Sequence, residues 1–423
     1  MARLRPGPVA RLIGGLLLAA VASATAAAAE LRPAPGDDLQ AVLAAAAPGD
    51  VVRLGAGRYR GPVTIDRPLA LAGVEGTLLE GDGKGSVITI TASDVTVTGL
   101  TITGSGLDLP AMDSAVLVRR SARHAVIRGN RLENNLFGVY LHGAAGSLVV
   151  DNTIVGRRDL RLSEAGNGVS IWNAPGAEVV GNDIRYGRDG IFVTTSKRNV
   201  FRDNRFADLR FAIHYMYTQD SRIVGNRSHG NHAAWALMYS DRLEIRDNVS
   251  EGDRDHGLLM NYVNDSTVTG NVVLNSAGKC LFIYNAHRNR IEGNRFQGCP
   301  IGIHFTAGSE RNAVSGNAFV GNRTQVKYVG TRTVEWSHDG RGNYWSDNAA
   351  FDLNGDGIAD RAYRPNDIAD DILWRYPLAK LLLNSPAITA LRFAQSRLPA
   401  LLPGGVVDSA PLMAPPATGG PHS

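Results

Sequence analysis

Apolar side chains recur along the chain at Ile127, Val149, Val179, Phe201, Ile223, Ile245, Val268, Ile291 and Val314. Three residues after each stands an asparagine: Asn130, Asn152, Asn182, Asn204, Asn226, Asn248, Asn271, Asn294 and Asn317. The steps between these asparagines are 22, 30, 22, 22, 22, 23, 23 and 23 residues. Gly or Asp precedes every one, and two residues later the chain is apolar again at Leu132, Ile154, Ile184, Phe206, Val273, Phe296 and Phe319. Ser228 and Ser250 interrupt that second stripe.

A period of this length excludes an ordinary globular reading and points to a solenoid. The L-x-x-L-x-L pattern of a leucine-rich horseshoe is missing. Short β-branched pieces such as those at 125–127, 147–149 and 267–269 suit strands of a few residues, not helices. The prediction is an all-β chain, a right-handed parallel β-helix of about 11–12 coils of 22–30 residues. Equivalent positions in successive coils should lie about 4.8 Å apart. The Gly/Asp-Asn pairs fit tight turns, and a buried asparagine ladder there would satisfy backbone groups coil after coil.

In chain order, residues 1–29 read as a secretory signal peptide: Arg3, Arg5 and Arg11, a short apolar core at 12–21, then alanines at 27–29. Residues 30–50 hold a short helical piece that would cap the first coil, with Asp37 as its N-cap. The solenoid is expected over 51–345, an Asp-rich closing segment over 346–378, one or two amphipathic helices split by Pro386 over 379–403, and a disordered tail over 404–423. The coils at 100–130 and 152–182 are about eight residues longer than the rest, so their extra loops should emerge side by side on successive coils. Such loops are where binding commonly resides.

The chain carries 44 basic and 40 acidic residues, and without the three leader arginines the balance is 41 against 40. That argues against nucleic acid as the main partner. With a leader but no spanning segment, the expected compartment is the periplasm. Cys280 and Cys299 are 19 residues apart; there they are either bridged across adjacent coils or separately buried.

Counting ten residues back from the asparagines aligns His142, Trp172, Thr194, Met216 and Met238, and Met260 continues the line if its coil's extra residue comes later. Two positions upstream run Tyr140, Ser170, Phe192, His214, Ala236 and Leu258. Strand alternation turns both lines outward and leaves Leu141, Ile171, Val193, Tyr215, Leu237 and Leu259 as core. His229, His232, Trp235, His256, Tyr217, Tyr239, Tyr262 and Tyr284 crowd around, and six of the ten histidines fall between 214 and 304. Met and His are soft-to-borderline ligands suited to copper, so His142, His214, Met216, His232, Met238, His256 and Met260 are candidates for copper or for docking a client protein. The bland reading is that the methionines fill core gaps. Farther on, Asp352, Asn354, Asp356 and Asp360 space oxygen donors as a calcium or magnesium loop does, without the final Glu of an EF-hand; an Asx-rich turn without a cation fits equally.

The signal peptide, the Gly-Asn and Asp-Asn coils, the Gly-Asn-Tyr-Trp-Ser-Asp closure at 342–347 and the Asp-rich loop together resemble the NosD family. That resemblance implies a periplasmic, non-enzymatic role in copper processing for nitrous oxide reductase. It further implies an ABC transporter membrane subunit with its ATPase, a lipoprotein copper chaperone and the apo-reductase as partners, and copper–sulfide cluster assembly as the outcome. The competing reading is a β-helical polysaccharide lyase, hydrolase or epimerase, or a carbohydrate-binding protein. Such an enzyme needs converging acid and base groups. Asp189, Asp208 and Asp220 are not a coil apart, and Asp183, Arg185, Arg188 and Arg210 offer no evident pair.

Overall fold

A computed structural model describes residues 28–306, 308–366, 385–397 and 404–417, with 370, 372, 376 and 378. The leader reading falls on residues 1–27, outside them. The chain winds into a right-handed parallel β-helix with three long sheets of 13, 12 and 13 strands. The first sheet runs from Glu30–Leu31 to Ala313–Ser315, the second from Val63–Ile65 to Thr324–Val329, and the third from Gly57–Arg60 to Tyr344–Trp345. It therefore has more coils than the period alone predicts, because the early turns from Glu30 onward lack the asparagine signature yet stack all the same.

The register is the one the repeat dictates. Ile127, Val149, Val179, Phe201, Ile223, Ile245, Val268, Ile291 and Val314 pair in succession in the first sheet. All nine are buried, which makes one continuous apolar column down the shaft. Beside it runs the asparagine ladder. Asn226 donates to the Phe201 carbonyl (2.9 Å) and to Asn248 Oδ1 (3.0 Å), and its own Oδ1 accepts the Asn204 backbone N–H (3.0 Å). The same pattern repeats from Asn130 to Asn317 and on to Asn343. Each amide thus satisfies backbone groups that the turn leaves without partners.

The ends differ from expectation in detail. Helix α1 (Leu39–Ala45) covers the first coil, but its N-cap is Asp38, whose side chain accepts the Ala41 N–H. Gln40 on α1 exchanges two hydrogen bonds with the Thr64 backbone and so occupies the edge of the second sheet. At the other end, 404–417 is ordered and is not a loose tail. Val406–Val407 pairs with Val334–Glu335, and Asp408 is buried. Asp408 Oδ2 accepts the Asn343 N–H and the Trp345 Nε1–H, each at 2.7 Å, so a carboxylate terminates the asparagine ladder. An open β-helix end would expose strand edges and Trp345, and the returning chain covers both. Pro386 opens helix α2 (Pro386–Arg397), where a first-turn proline loses no hydrogen bond. Residues 379–384 and 398–403 of the expected helical segment lie outside the described residues.

The long loops are 104–113 and 156–168, both between the third and second sheets. They do not leave successive coils, because the coil between them has only the short turn 134–136. Even so, 106–111 and Glu164 line one open cleft of about 830 Å³.

Candidate functional site

The second sheet turns one face outward, and its outward columns carry the unusual chemistry. One column pairs His142, Trp172, Thr194, Met216, Met238, Asn261 and Tyr284 in sequence. Met260 is not in it. It pairs with Leu237 and Ile283, is fully buried, and belongs to the core, so the extra residue of that coil comes before it. For the same reason Leu259 takes the outward position assigned to Leu258, which is buried.

The second outward column runs Tyr140, Ser170, Phe192, His214, Ala236, Leu259, Phe282 and His304. His214 is the best-held imidazole on the face. Its Nδ1 lies 3.1 Å from Asp189 Oδ2, and its ring packs against Phe192 and Phe211 at 5.0 and 5.1 Å. Asp189 is 1% exposed and takes both fork nitrogens of Arg210, at 2.8 and 2.6 Å. Burial raises the Asp189 pKa, but the bonds from His214 and Arg210 outweigh it and hold the carboxyl below the usual carboxylate range. Spacing reasoning misses this pair because Asp189 and Arg210 are 21 residues apart, one short of a coil, and meet diagonally.

The other candidates do not converge. His142 stacks on Trp172 (4.6 Å, 13°), three coils from Met216, and partial burial lowers its pKa, with Arg119 and Arg120 adding to the effect. His232 and His256 gather around Asp255, at 3.7 and 2.8 Å, the second contact without hydrogen-bond alignment. His256 meets Lys279 at 3.4 Å, and Phe282 separates it from His304. Burial lowers the pKa of His256 and Lys279, and takes His304 down to about 4. Among the described residues no group of three or more His, Cys, Asp or Glu is placed to hold a metal ion. The soft donors on this face are the thioethers of Met216 and Met238.

Along the edge of the face stands a row of tyrosines. Tyr217 stacks on Tyr239 (5.2 Å, 17°), Tyr239 on Tyr262 (5.0 Å, 9°), and Tyr284 meets Tyr262 edge-on. The first three occupy a turn position with φ of +54°, +49° and +53°. The same turn position holds Thr195 in the coil before and Asn285 in the coil after, with Asn173 one coil further back, and asparagine adopts this backbone with less strain. Tyrosine in its place keeps about half of each ring in solvent.

Two expectations lie off this face. In the Asp-rich loop, Asp352 accepts the Gly355 and Gly357 N–H groups, Asp356 accepts the Ile358 N–H, and Asp360 accepts the Leu353 N–H. The oxygens serve the loop's own backbone, the arrangement of an Asx-rich turn. Cys280 and Cys299 are bonded as a disulfide that spans a single coil, from the strand Lys279–Tyr284 to the turn before Ile301–Thr306.

Ser228 and Ser250, which break the apolar stripe, have a clear role. Both donate to Asp253 inside the shaft, and Asp253 also accepts the Asn231 N–H. Burial pushes this carboxyl up to about 6 despite those three partners.

Comparison with known proteins fits this architecture. The profile described as "Periplasmic copper-binding protein (NosD)" matches residues 150–350. A Stutzerimonas stutzeri protein, "Probable ABC transporter binding protein NosD", is 44% identical over 375 residues, which is 85% of this chain and 86% of that protein. The chain belongs to the NosD family. A Pseudomonas aeruginosa protein of the same description is 42% identical over 377 residues, covering 86% and 88% of the two chains. Among solved structures, the NosD-family shaft is similar to a Yersinia enterocolitica family 28 exopolygalacturonase (TM-score 0.59, 12% identity, 68% of this chain and 72% of that one). It is also similar to the Dettilon tailspike protein (TM-score 0.54, 16% identity, 67% and 62%). At those identities the likeness is one of fold. The family description places NosD proteins in the periplasm, and no described helix of this chain is long and apolar enough to cross a membrane.

Proposed function

We propose that this chain is a non-enzymatic copper-relay scaffold, docked to an ABC transporter membrane subunit and its ATPase. It would receive copper from a lipoprotein chaperone and present it to apo nitrous oxide reductase for copper–sulfide cluster assembly. The observation that carries the reading is the outward face of the second sheet. Met216 and Met238 are register partners there, about 4.8 Å apart, with imidazoles along the same face and a tyrosine row at its edge. Thioether and neutral imidazole donors bind Cu(I) without adding ligand charge. Exposed aromatics are the side chains that interfaces favour. Helix α2, where Phe393 is 65% exposed, is the candidate contact to the transporter.

Anaerobic titration of the mature protein with Cu(I) tests the copper part, and a chain that takes up no Cu(I) ends the reading. Recovery of the membrane subunit with the protein, with and without 385–397, tests the docking part; equal recovery excludes α2 as the anchor. Sugar binding is the second reading, favoured by the tyrosine row. It predicts that acidic or neutral oligosaccharides quench the row's fluorescence. Neither calcium nor magnesium is assigned a role here: chelator should leave the thermal midpoint unchanged.

A further inference from the structure

We infer that His214, Met216 and Met238 form one Cu(I) site, with Asp189 and Arg210 as positioning residues that hold His214 ready for the metal. This rests on the copper-relay reading above and names where the ion sits.

The buried ion pair is the first observation. Asp189 begins the strand Asp189–Thr194, and the residues that succeed it in the same register column are Phe211 and Ala233. The fold therefore accepts apolar side chains at this position and does not require a charge. A buried ion pair is also a weak source of stability, since well-packed apolar replacements often do as well. What the pair does achieve is orientation. Arg210 lies over the Phe211 ring at 4.5 Å and fixes the carboxylate with two bonds, and the carboxylate faces the His214 Nδ1.

The second observation is the state of the imidazole. Phe192 and Phe211 pack on it, and the next residue in its column is Ala236, the smallest side chain of that column. Nδ1 stands 3.1 Å from Asp189 Oδ2 and 3.3 Å from Arg210 Nη2; the tautomer that donates Nδ1–H to the carboxylate leaves the lone pair on Nε2, which takes no hydrogen bond among the described residues. A histidine whose far nitrogen donates to a carboxylate is the usual form of a metal-bound imidazole, because the bond fixes the tautomer and makes the ring a better donor.

The third observation is what stands next to it. Met216 is two residues along the strand Phe211–Met216 and on the same face, and Met238 is its partner in the next coil. That places three donors within about 7 Å along the strand and about 4.8 Å across it. Methionine's three flexible torsions let both sulfurs close on one ion. Two thioethers and a neutral imidazole carry no charge, and Asp189 and Arg210 cancel each other. The set therefore favours a soft monovalent ion over a hard dication.

The test is competition for Cu(I) between the full mature protein and a chromophoric chelator, without oxygen, with X-ray absorption on the loaded protein. The wild type is expected to show one nitrogen and two sulfur ligands. His214→Ala should remove the nitrogen signal, and Met216→Leu with Met238→Leu the sulfur signal. Asp189→Asn should weaken binding about 10- to 100-fold while leaving the ligand set intact. Because Asp189→Asn leaves the half-buried Arg210 without its partner, the double change Asp189→Leu, Arg210→Met serves beside it. It should fold, with its thermal midpoint near the wild type, and lose affinity to the same degree. Wild-type affinity in that double variant would overturn the positioning role. Undiminished binding by His214→Ala would overturn the site while leaving the copper-relay reading in place. A wild type that binds no Cu(I) would remove both.

Discussion

Two neighbouring columns of the second sheet make the most instructive comparison in this molecule. Leu141, Ile171, Val193, Tyr215, Leu237, Met260 and Ile283 point inward, and all are buried. One residue later, His142, Trp172, Thr194, Met216, Met238, Asn261 and Tyr284 point outward. The inward column keeps to a narrow range of apolar side chains because each must fill a shaft of fixed width. The outward column changes chemistry at almost every coil, since the fold asks nothing of it beyond a strand. Its composition therefore bears on what the surface meets.

The largest effect on the inward side should come from the ladder. Asn226→Ala takes one amide donor from the Phe201 carbonyl and the shared acceptor from the Asn204 backbone N–H and one side-chain N–H, while the other side-chain N–H still donates to Val179. At about 1–3 kcal/mol for each of the two orphaned N–H groups, a loss of about 2–6 kcal/mol should appear as a much lower denaturation midpoint. An unchanged midpoint would mean the ladder decorates the turns and does not hold them. Next comes Met260→Ala, expected to cost about 2–5 kcal/mol as a core cavity, with no change in Cu(I) uptake.

Asp253 gives a pH-dependent case inside the shaft. Its folded pKa, about 6, stands above the ordinary 3.8, so the folded state pays to ionise it. Folded and unfolded chains both hold the proton below 3.8, and stability falls as pH rises from there through 6. Asp253→Asn should therefore stabilise the protein by at most about 3 kcal/mol at pH 8, with the gain gone near pH 4. Thermal midpoints of both proteins across that range decide it, and a gain that grew toward low pH would reverse the sign. Smallest of all is Met238→Leu on the outward side, within about 0.5 kcal/mol in stability. The contrast is sharpest if that variant loses Cu(I) affinity while Met260→Ala keeps it.

Much of this could be read from the chain before any coordinates. The Ile127-to-Val314 column and the asparagine ladder were legible because a parallel stack converts sequence period directly into spatial line. Three placements were not. Met260 moved indoors because one inserted residue shifts strand parity, and a period count does not say where in the coil the insertion falls. Asp408 lies 65 residues beyond Asn343, so its closing of the ladder has no periodic signal at all. Asp189 and Arg210 meet diagonally across two coils, a geometry that a search for equal spacing passes over.

By itself the sequence determined the architecture: a repeat whose apolar positions cannot be buried in one coil must stack, and the asparagines set the register. Tertiary structure alone decided which side chains share a surface patch and how the last coil is sealed. Those outcomes depend on single-residue offsets and on a chain segment returning from far away, and neither leaves a period to read.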